Sequence, residues 1–321
     1  MAEVSSEFKS QKSPHFYGDL NALTQSDDQN RDFFVNITHI QIHRRARALD
    51  RLRKLLQASA VNETCQFSVQ TLSNVLVPLA MNPIYDIEKN TEETYALECI
   101  ATVGAILKHL SWGKYQKILW KALLDFPRFE KQERYFIAMI CSIIDSFHFD
   151  LKQIERINSD TIQSPNLQHG TIWKAMNSRI IPKIESYLQG ETIDRGGRKG
   201  KSLRAPIVLA LAKLFKKMPN EVFESKLSRL LSVICNALAN KDSNERELAR
   251  NTMSKLAIFI GVEYLSDIIR ELAISLSEGY KLHVRSATLH SVLLSLSQSY
   301  TRPLKGVLSF DQCLPAMMDV I

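Results

Sequence analysis

This chain of 321 residues is short of the devices that stabilise secreted, membrane and metal-stapled proteins. It has five cysteines, Cys65, Cys99, Cys141, Cys235 and Cys313, odd in number, scattered, and never arranged as Cys-x-x-Cys. That spacing excludes a zinc ribbon, argues against a disulfide framework and points to a reducing compartment. Long apolar runs are missing too. The most apolar stretch, Tyr135 to Ile144, covers about ten residues, half of what a bilayer-spanning helix needs. The opening MAEVSSEFKSQKSPHF holds no apolar core of the secretory kind, so the sequons at Asn36 and Asn62 are read as chance. Sustained apolar–polar alternation is absent, as is any Asn-Gly turn between two apolar runs, so no sheet is expected.

Catalytic signatures are equally scarce. There is no Gly-x-Ser-x-Gly and no obvious paired-carboxylate or Cys/His arrangement. The segment Gly196-Gly-Arg-Lys-Gly-Lys-Ser202 approaches a phosphate-binding loop, but Arg195 stands where the first glycine belongs. Such a loop also needs a buried strand before it, and the preceding residues, Trp173 to Leu188, have helical spacing. His39 and His43 are four apart, as zinc ligands on one helix face are, yet no third ligand accompanies them. His283 and His290 lie two turns apart and are expected to pack between helices. The chain therefore reads as non-enzymatic, with no metal, no cofactor, no small-molecule substrate and no membrane partner.

What is present is helical periodicity. Ile42, Leu49, Leu52 and Leu56 form one stripe; Ala96, Ile100, Val103, Leu107 and Leu110 form another. Between Asp242 and Leu296 three helices follow with short breaks. Their apolar faces are Leu248, Ala249, Leu256 and Ile260; then Leu265, Ile268, Ile269, Leu272 and Leu276; then Leu282, Leu289, Val292, Leu293 and Leu296. Gly261 and Gly279 stand where left-handed residues would end the first two. Pro78 should end or kink its helix, Pro182 should bend its own, and Gln189 to Ser202 reads as a loop. Starts near Leu203, Ser243 and Lys281 repeat at about 40 residues, the period of a paired-helix array. Asp242, Arg246, Ala249 and Leu256 match the second half of a HEAT motif, in which the Asp and Arg can tie neighbouring repeats. The fold class is all-α, an α-solenoid of HEAT-type antiparallel helix pairs. Residues 1–30 read as a disordered lead-in and 31–321 as the array. A last helix from Phe310, with Leu314, Met317, Met318 and Ile321, has no polar cap after it, so the array is expected to be truncated there.

Net charge is +7, which mildly favours an acidic partner such as RNA. Two basic groups stand out. Arg44, Arg47, Arg51 and Lys54 line the face opposite the first apolar stripe, with Asp50 the one acid nearby. Arg195, Arg198, Lys199, Lys201 and Arg204 fill a glycine-rich segment whose backbone could mould to RNA. Both are candidate contacts for RNA or an acidic partner; either could also be a solvated surface.

The segment Asp32-Phe-Phe-Val-Asn-Ile-Thr-His-Ile-Gln-Ile-His-Arg-Arg-Ala-Arg-Ala-Leu-Asp-Arg-Leu52 resembles one family closely. So do Leu203-Arg-Ala-Pro-Ile-Val-Leu-Ala-Leu-Ala-Lys-Leu214, Arg246 to Ala257, Glu278-Gly-Tyr-Lys-Leu-His-Val284 and Thr288-Leu-His-Ser-Val-Leu293. The family is DRIM (down-regulated in metastasis), the large HEAT-repeat scaffold of the small-subunit processome associated with the U-three snoRNP. Val284-Arg-Ser-Ala287 departs from its Val-Leu-Gly-Tyr. The resemblance implies a fragment of a nucleolar scaffold in ribosome biogenesis, supporting pre-rRNA processing and small-subunit assembly. It implies pre-ribosomal RNA and processome proteins as partners. A HEAT-repeat adaptor for protein partners in transport or trafficking is the alternative.

Overall fold

The computed structural model describes residues 18–24, 32–61, 67–86, 92–151, 167–193 and 199–299. The chain divides into two compact units, residues 1–147 and residues 148–321. The helix expected from Phe310, the array end and the Asn62 sequon lie outside the described residues.

In the first unit, α1 (Phe33–Ile37) leads into α2 (Ile42–Val61). Then come α3 (residues 69–85), α4 (Glu93–Leu107), α5 (Trp112–Asp125) and α6 (Glu133–Asp145). Helices α2, α4 and α6 pack in succession as one layer, while α3 and α5 lean on α4 and α6 from the other side. The stripe read from the sequence is part of the core: Leu49, Leu52 and Leu56 are fully buried, as are Val103 and Ile106 of α4 and Phe136 of α6. Burying each such side chain contributes about 1.5–3 kcal/mol. Gly104 sets the approach of α4 to α6, because a Cβ there would overlap the Ser142 hydroxyl, which itself donates to Ile100 O at 3.0 Å.

The second unit repeats the scheme. Helix α7 (residues 167–185) precedes α8 (Ala205–Phe215), α9 (Asn220–Leu238), α10 (Ser243–Ile260), α11 (Leu265–Ser275) and α12 (Tyr280–Ser299). Helices α8, α10 and α12 form one layer, α9 and α11 the other. The layer's helix starts at Ala205, Ser243 and Tyr280 recur at about 38 residues. Polar contacts obey the same stride. Tyr85 Oη donates to Asp125 (2.7 Å) 40 residues on, Lys216 Nζ to Ile260 O (2.8 Å) 44 on, and Tyr280 Oη to Ala239 O (2.7 Å) 41 back. Partners one repeat apart are what a quasi-one-dimensional stack requires.

Several expectations need correction. Pro78 and Pro182 do not end their helices. Each follows a π-turn, Leu72–Leu76 and Met176–Ile180, ending two residues before the proline. Widening the turn there accommodates a residue that cannot donate to the ladder. As a result α3 runs on to Tyr85. The loop expected from Gln189 is partly a hairpin: β1 (Gln189–Ile193) pairs antiparallel with β2 (Lys199–Leu203), Gln189 opposite Leu203. The lead-in is not wholly structureless either. Residues 18–24 form two short helical turns, and Asp19 accepts from the Ser68 N–H and from Thr71 Oγ1 (2.7 Å). Burial raises the Asp19 carboxyl, but these hydrogen bonds outweigh it and hold the group below its ordinary value.

Leu248 and Leu282, placed on core faces by the sequence, are 38% and 41% exposed. Gly261 does end α10, with φ 103°. Gly279, at φ 57°, begins α12 instead of ending α11, which stops at Ser275. Asp242 caps α10 by accepting from Asn244 N (2.9 Å). Arg246 donates to Asn240 O and Lys241 O, so it closes its own turn, while Tyr280 makes the bond to the earlier helix.

Candidate nucleic-acid interface

Helix α2 presents its basic row because its apolar positions recur at helical spacing and are drawn inward. With Ala48, Leu49, Leu52 and Leu56 buried, Arg44, Arg47, Arg51 and Lys54 are left outside. Arg47, Arg51 and Lys54 are exposed and Arg44 is half-buried. Two further arginines on the flank of α2 serve the fold. The Arg45 guanidinium lies over the Tyr95 ring, 4.9 Å from its centroid. Arg53 bridges Asp50 (2.7 Å) and Glu98 of α4 (3.1 Å).

Asp50, the one acid near the row in sequence, engages its last member. Lys54 pairs with Asp50 at 2.7 Å. The Lys54 ammonium, with Arg53 beside it, holds the Asp50 carboxyl below the usual carboxylate range. Lys54 thus spends its charge within its own helix.

In the second unit Arg195 and Arg198 lie outside the described residues. Lys199 and Lys201 belong to β2, in register with Ile193 and Glu191. Arg204 acts as a staple at the base of the hairpin. Its Nη1 donates to Tyr187 O and Gln189 O, both at 3.3 Å, and its backbone N–H to Leu188 O at 2.9 Å. Gly190 packs closely against it, since a Cβ there would sit 3.1 Å from the guanidinium. The base of the hairpin is held by Glu245 of α10, which accepts from Ser202 Oγ (2.7 Å) and the Leu203 N–H (3.3 Å). A phosphate-binding loop follows a buried strand; here β1 is one arm of a two-stranded hairpin that follows helix α7.

The histidine expectations also change. His39 precedes α2 and its Nδ1 accepts from Gln41 N (3.0 Å), so it does not share a helix face with His43. His283 and His290 are exposed, not packed between helices. Among the described residues no three His, Cys, Asp or Glu side chains gather as metal ligands, and no helix is long and apolar enough to cross a membrane. Burial pushes the Cys99 and Cys235 thiols up to about 12, away from thiolate chemistry.

One basic row escaped the sequence reading. Lys114, Lys117 and Lys121 stand at i, i+3, i+7 on α5, where the same count of charges by helix face would have found them.

Residues 194–321 match the family model of the U3 small nucleolar RNA-associated protein 20 domain. The chain is similar to U3 small nucleolar RNA-associated protein 20. The protein of that name from Schizosaccharomyces pombe is 25% identical over 315 residues, 94% of this chain. That from Saccharomyces cerevisiae is 26% identical over 290 residues, 87% of this chain. The chain spans 12% and 11% of the lengths of these two relatives. The family resemblance carried by Asp32 to Leu52 and by the Gly279-Tyr280 segment is thereby supported. The domain match covers β2 and α8 to α12, and the two relatives extend the likeness into the first unit.

Proposed function

We propose that this chain is a segment of a non-catalytic scaffold in ribosome biogenesis. In this reading it works in the nucleus, in the nucleolus, as part of the small-subunit processome. It holds pre-ribosomal RNA and processome proteins in place during pre-rRNA processing and small-subunit assembly. The observation that carries this is the likeness along 94% and 87% of the chain to two proteins named for association with U3 small nucleolar RNA. The stacked helix layers suit the role, since solenoids offer extended surfaces built from repeated units. Arg44, Arg47 and Arg51 are the RNA contacts proposed on α2, with Arg195, Arg198, Lys199 and Lys201 in the basic segment.

Ultraviolet crosslinking in cells, followed by sequencing of the attached RNA, tests the reading. Pre-ribosomal RNA and U3 small nucleolar RNA should dominate. Recovery of messenger RNA, or of no RNA at all, would favour the transport or trafficking adaptor.

A further inference from the structure

We propose that the outer face of α5 is a contact site for the phosphate backbone of single-stranded RNA, built from Lys114, Lys117 and Lys121. The proposal rests on the pre-ribosomal scaffold reading and adds a second face to it. Helix α2 belongs to one layer of the first unit and α5 to the other. At 100° per residue the three lysines fall within about a sixth of the helix circumference, along roughly 10 Å of its length. Lys117 and Lys121 are exposed and Lys114 is half-buried.

The distinguishing feature is the lack of compensation. Like charges spaced this way on a helix repel by a few tenths of a kcal/mol per pair, about 0.2–0.5. Surface helices relieve this with acids, and α5 has one, Asp125. Its carboxylate already takes the Tyr85 hydroxyl (2.7 Å) and Arg128 (3.6 Å). The neighbouring helix α3, residues 69–85, carries no Asp, Glu, Lys or Arg. Among the described residues none of the three lysines has an ion pair. Lys114 meets the neutral amide oxygen of Asn74 at 3.4 Å, and the Lys121 ammonium lies 5.6 Å from the centre of the Tyr85 ring. These contacts orient the ammonium groups without cancelling their charge, so a polyanion is the natural complement.

The flanks decide which polyanion. Beside the lysines stand the amide of Asn74, at Lys114, and the half-buried indole of Trp120, three positions beyond Lys117 on the same side of the helix. Amides can meet base edges and an indole edge can meet a base, whereas an acidic peptide would use the charge alone. Each ammonium can meet one phosphate of a flexible single strand.

The test uses the full 321-residue chain. Its affinity for a single-stranded oligoribonucleotide is measured over a salt series, for wild type, K114Q/K117Q/K121Q and K114R/K117R/K121R. Each lost phosphate contact lowers the log–log slope by about 0.7, so the glutamine variant should lose about 2 and the arginine variant nothing. The single variant K117Q, at an exposed position, should lose about 0.7 even if the triple variant folds poorly. An unchanged slope in a folded variant overturns the site, as does wild type that binds no RNA, or polyglutamate displacing RNA from wild type but not from the triple variant. Sedimentation of the wild-type protein with pre-ribosomal particles from cell extract judges the scaffold reading separately. Absence from the particles with the slope change intact would sink that reading and leave the RNA face standing.

Discussion

At the scale of single residues, the Gly279-Tyr280 pair explains why one short segment carries so much of the family resemblance. Gly279 holds φ 57°, and Tyr280 then opens α12 with its hydroxyl 2.7 Å from Ala239 O, at the end of α9. The turn thus sets one repeat on the one before it. No atom lies within 4 Å of where a Gly279 Cβ would point, so the constraint is on the backbone and not on space. Gly279→Ala should cost about 1–2 kcal/mol, and Gly279→Asn less, because Asn tolerates the left-handed region. Tyr280→Phe should cost about 0.5–1.5 kcal/mol for the lost hydrogen bond. Because both act through one contact, the double variant should fall short of the sum in urea unfolding. Equal stability of the Ala, Asn and wild-type proteins would show that the turn does not depend on glycine. The sequence marked Gly279 as special yet gave it to the wrong helix. A left-handed residue is legible from its identity, but whether it leaves one helix or enters the next depends on where Leu276 turns the chain.

At the scale of elements, the helices were legible and their interruptions were not. Leu265, Ile268, Ile269, Leu272 and Leu276 are all buried as their spacing predicts. Leu248 and Leu282 fail because a helix at one turn of pitch places more apolar positions near the seam than the neighbours cover. Pro78 was read as an end or a kink and Pro182 as a bend, since the π-turn that absorbs each leaves no mark of its own in Leu72–Leu76 or Met176–Ile180. The hairpin was missed for a related reason. Gln-Gly-Glu-Thr-Ile and Lys-Gly-Lys-Ser-Leu lack alternation. What holds them lies outside the two strands: the Glu245 carboxylate, some forty residues on, and the Arg204 guanidinium packed against Gly190. This predicts that Glu245→Ala frees the hairpin while leaving α10 in place, since Asp242 still caps that helix. Amide exchange should rise across Gln189–Ile193 and Lys199–Leu203, with a stability loss of about 1–3 kcal/mol for the stranded donors. Protection of those amides identical to wild type would mean the strands stand without Glu245.

At the scale of the whole molecule, the net charge of +7 says little until it is placed. Much of it goes to the fold. Arg53, Arg204 and Arg246 bind carboxylates or carbonyls, Arg45 covers a ring, and Lys226 and Arg229 close on the buried Glu185 at 3.8 and 2.9 Å. Sequence counting treated every Lys and Arg alike, and so it placed Arg204 in the interface. The geometry divides the α2 row as well, and that division can be measured. If Arg44, Arg47 and Arg51 meet phosphates, R44Q/R47Q/R51Q should lower the salt slope of affinity for structured ribosomal RNA by about 2.7 for a duplex-like site, or about 2.1 for single strands. Lys54→Gln should change the slope far less, because Asp50 already engages the ammonium. None of these changes alters a buried apolar contact, so each should shift stability by no more than about 0.5 kcal/mol. A Lys54→Gln effect equal to each arginine's would show that RNA displaces Asp50 from Lys54. A flat slope in the folded triple variant would reduce the α2 row to a solvated surface and leave the basic segment and the α5 lysines as the remaining faces for RNA.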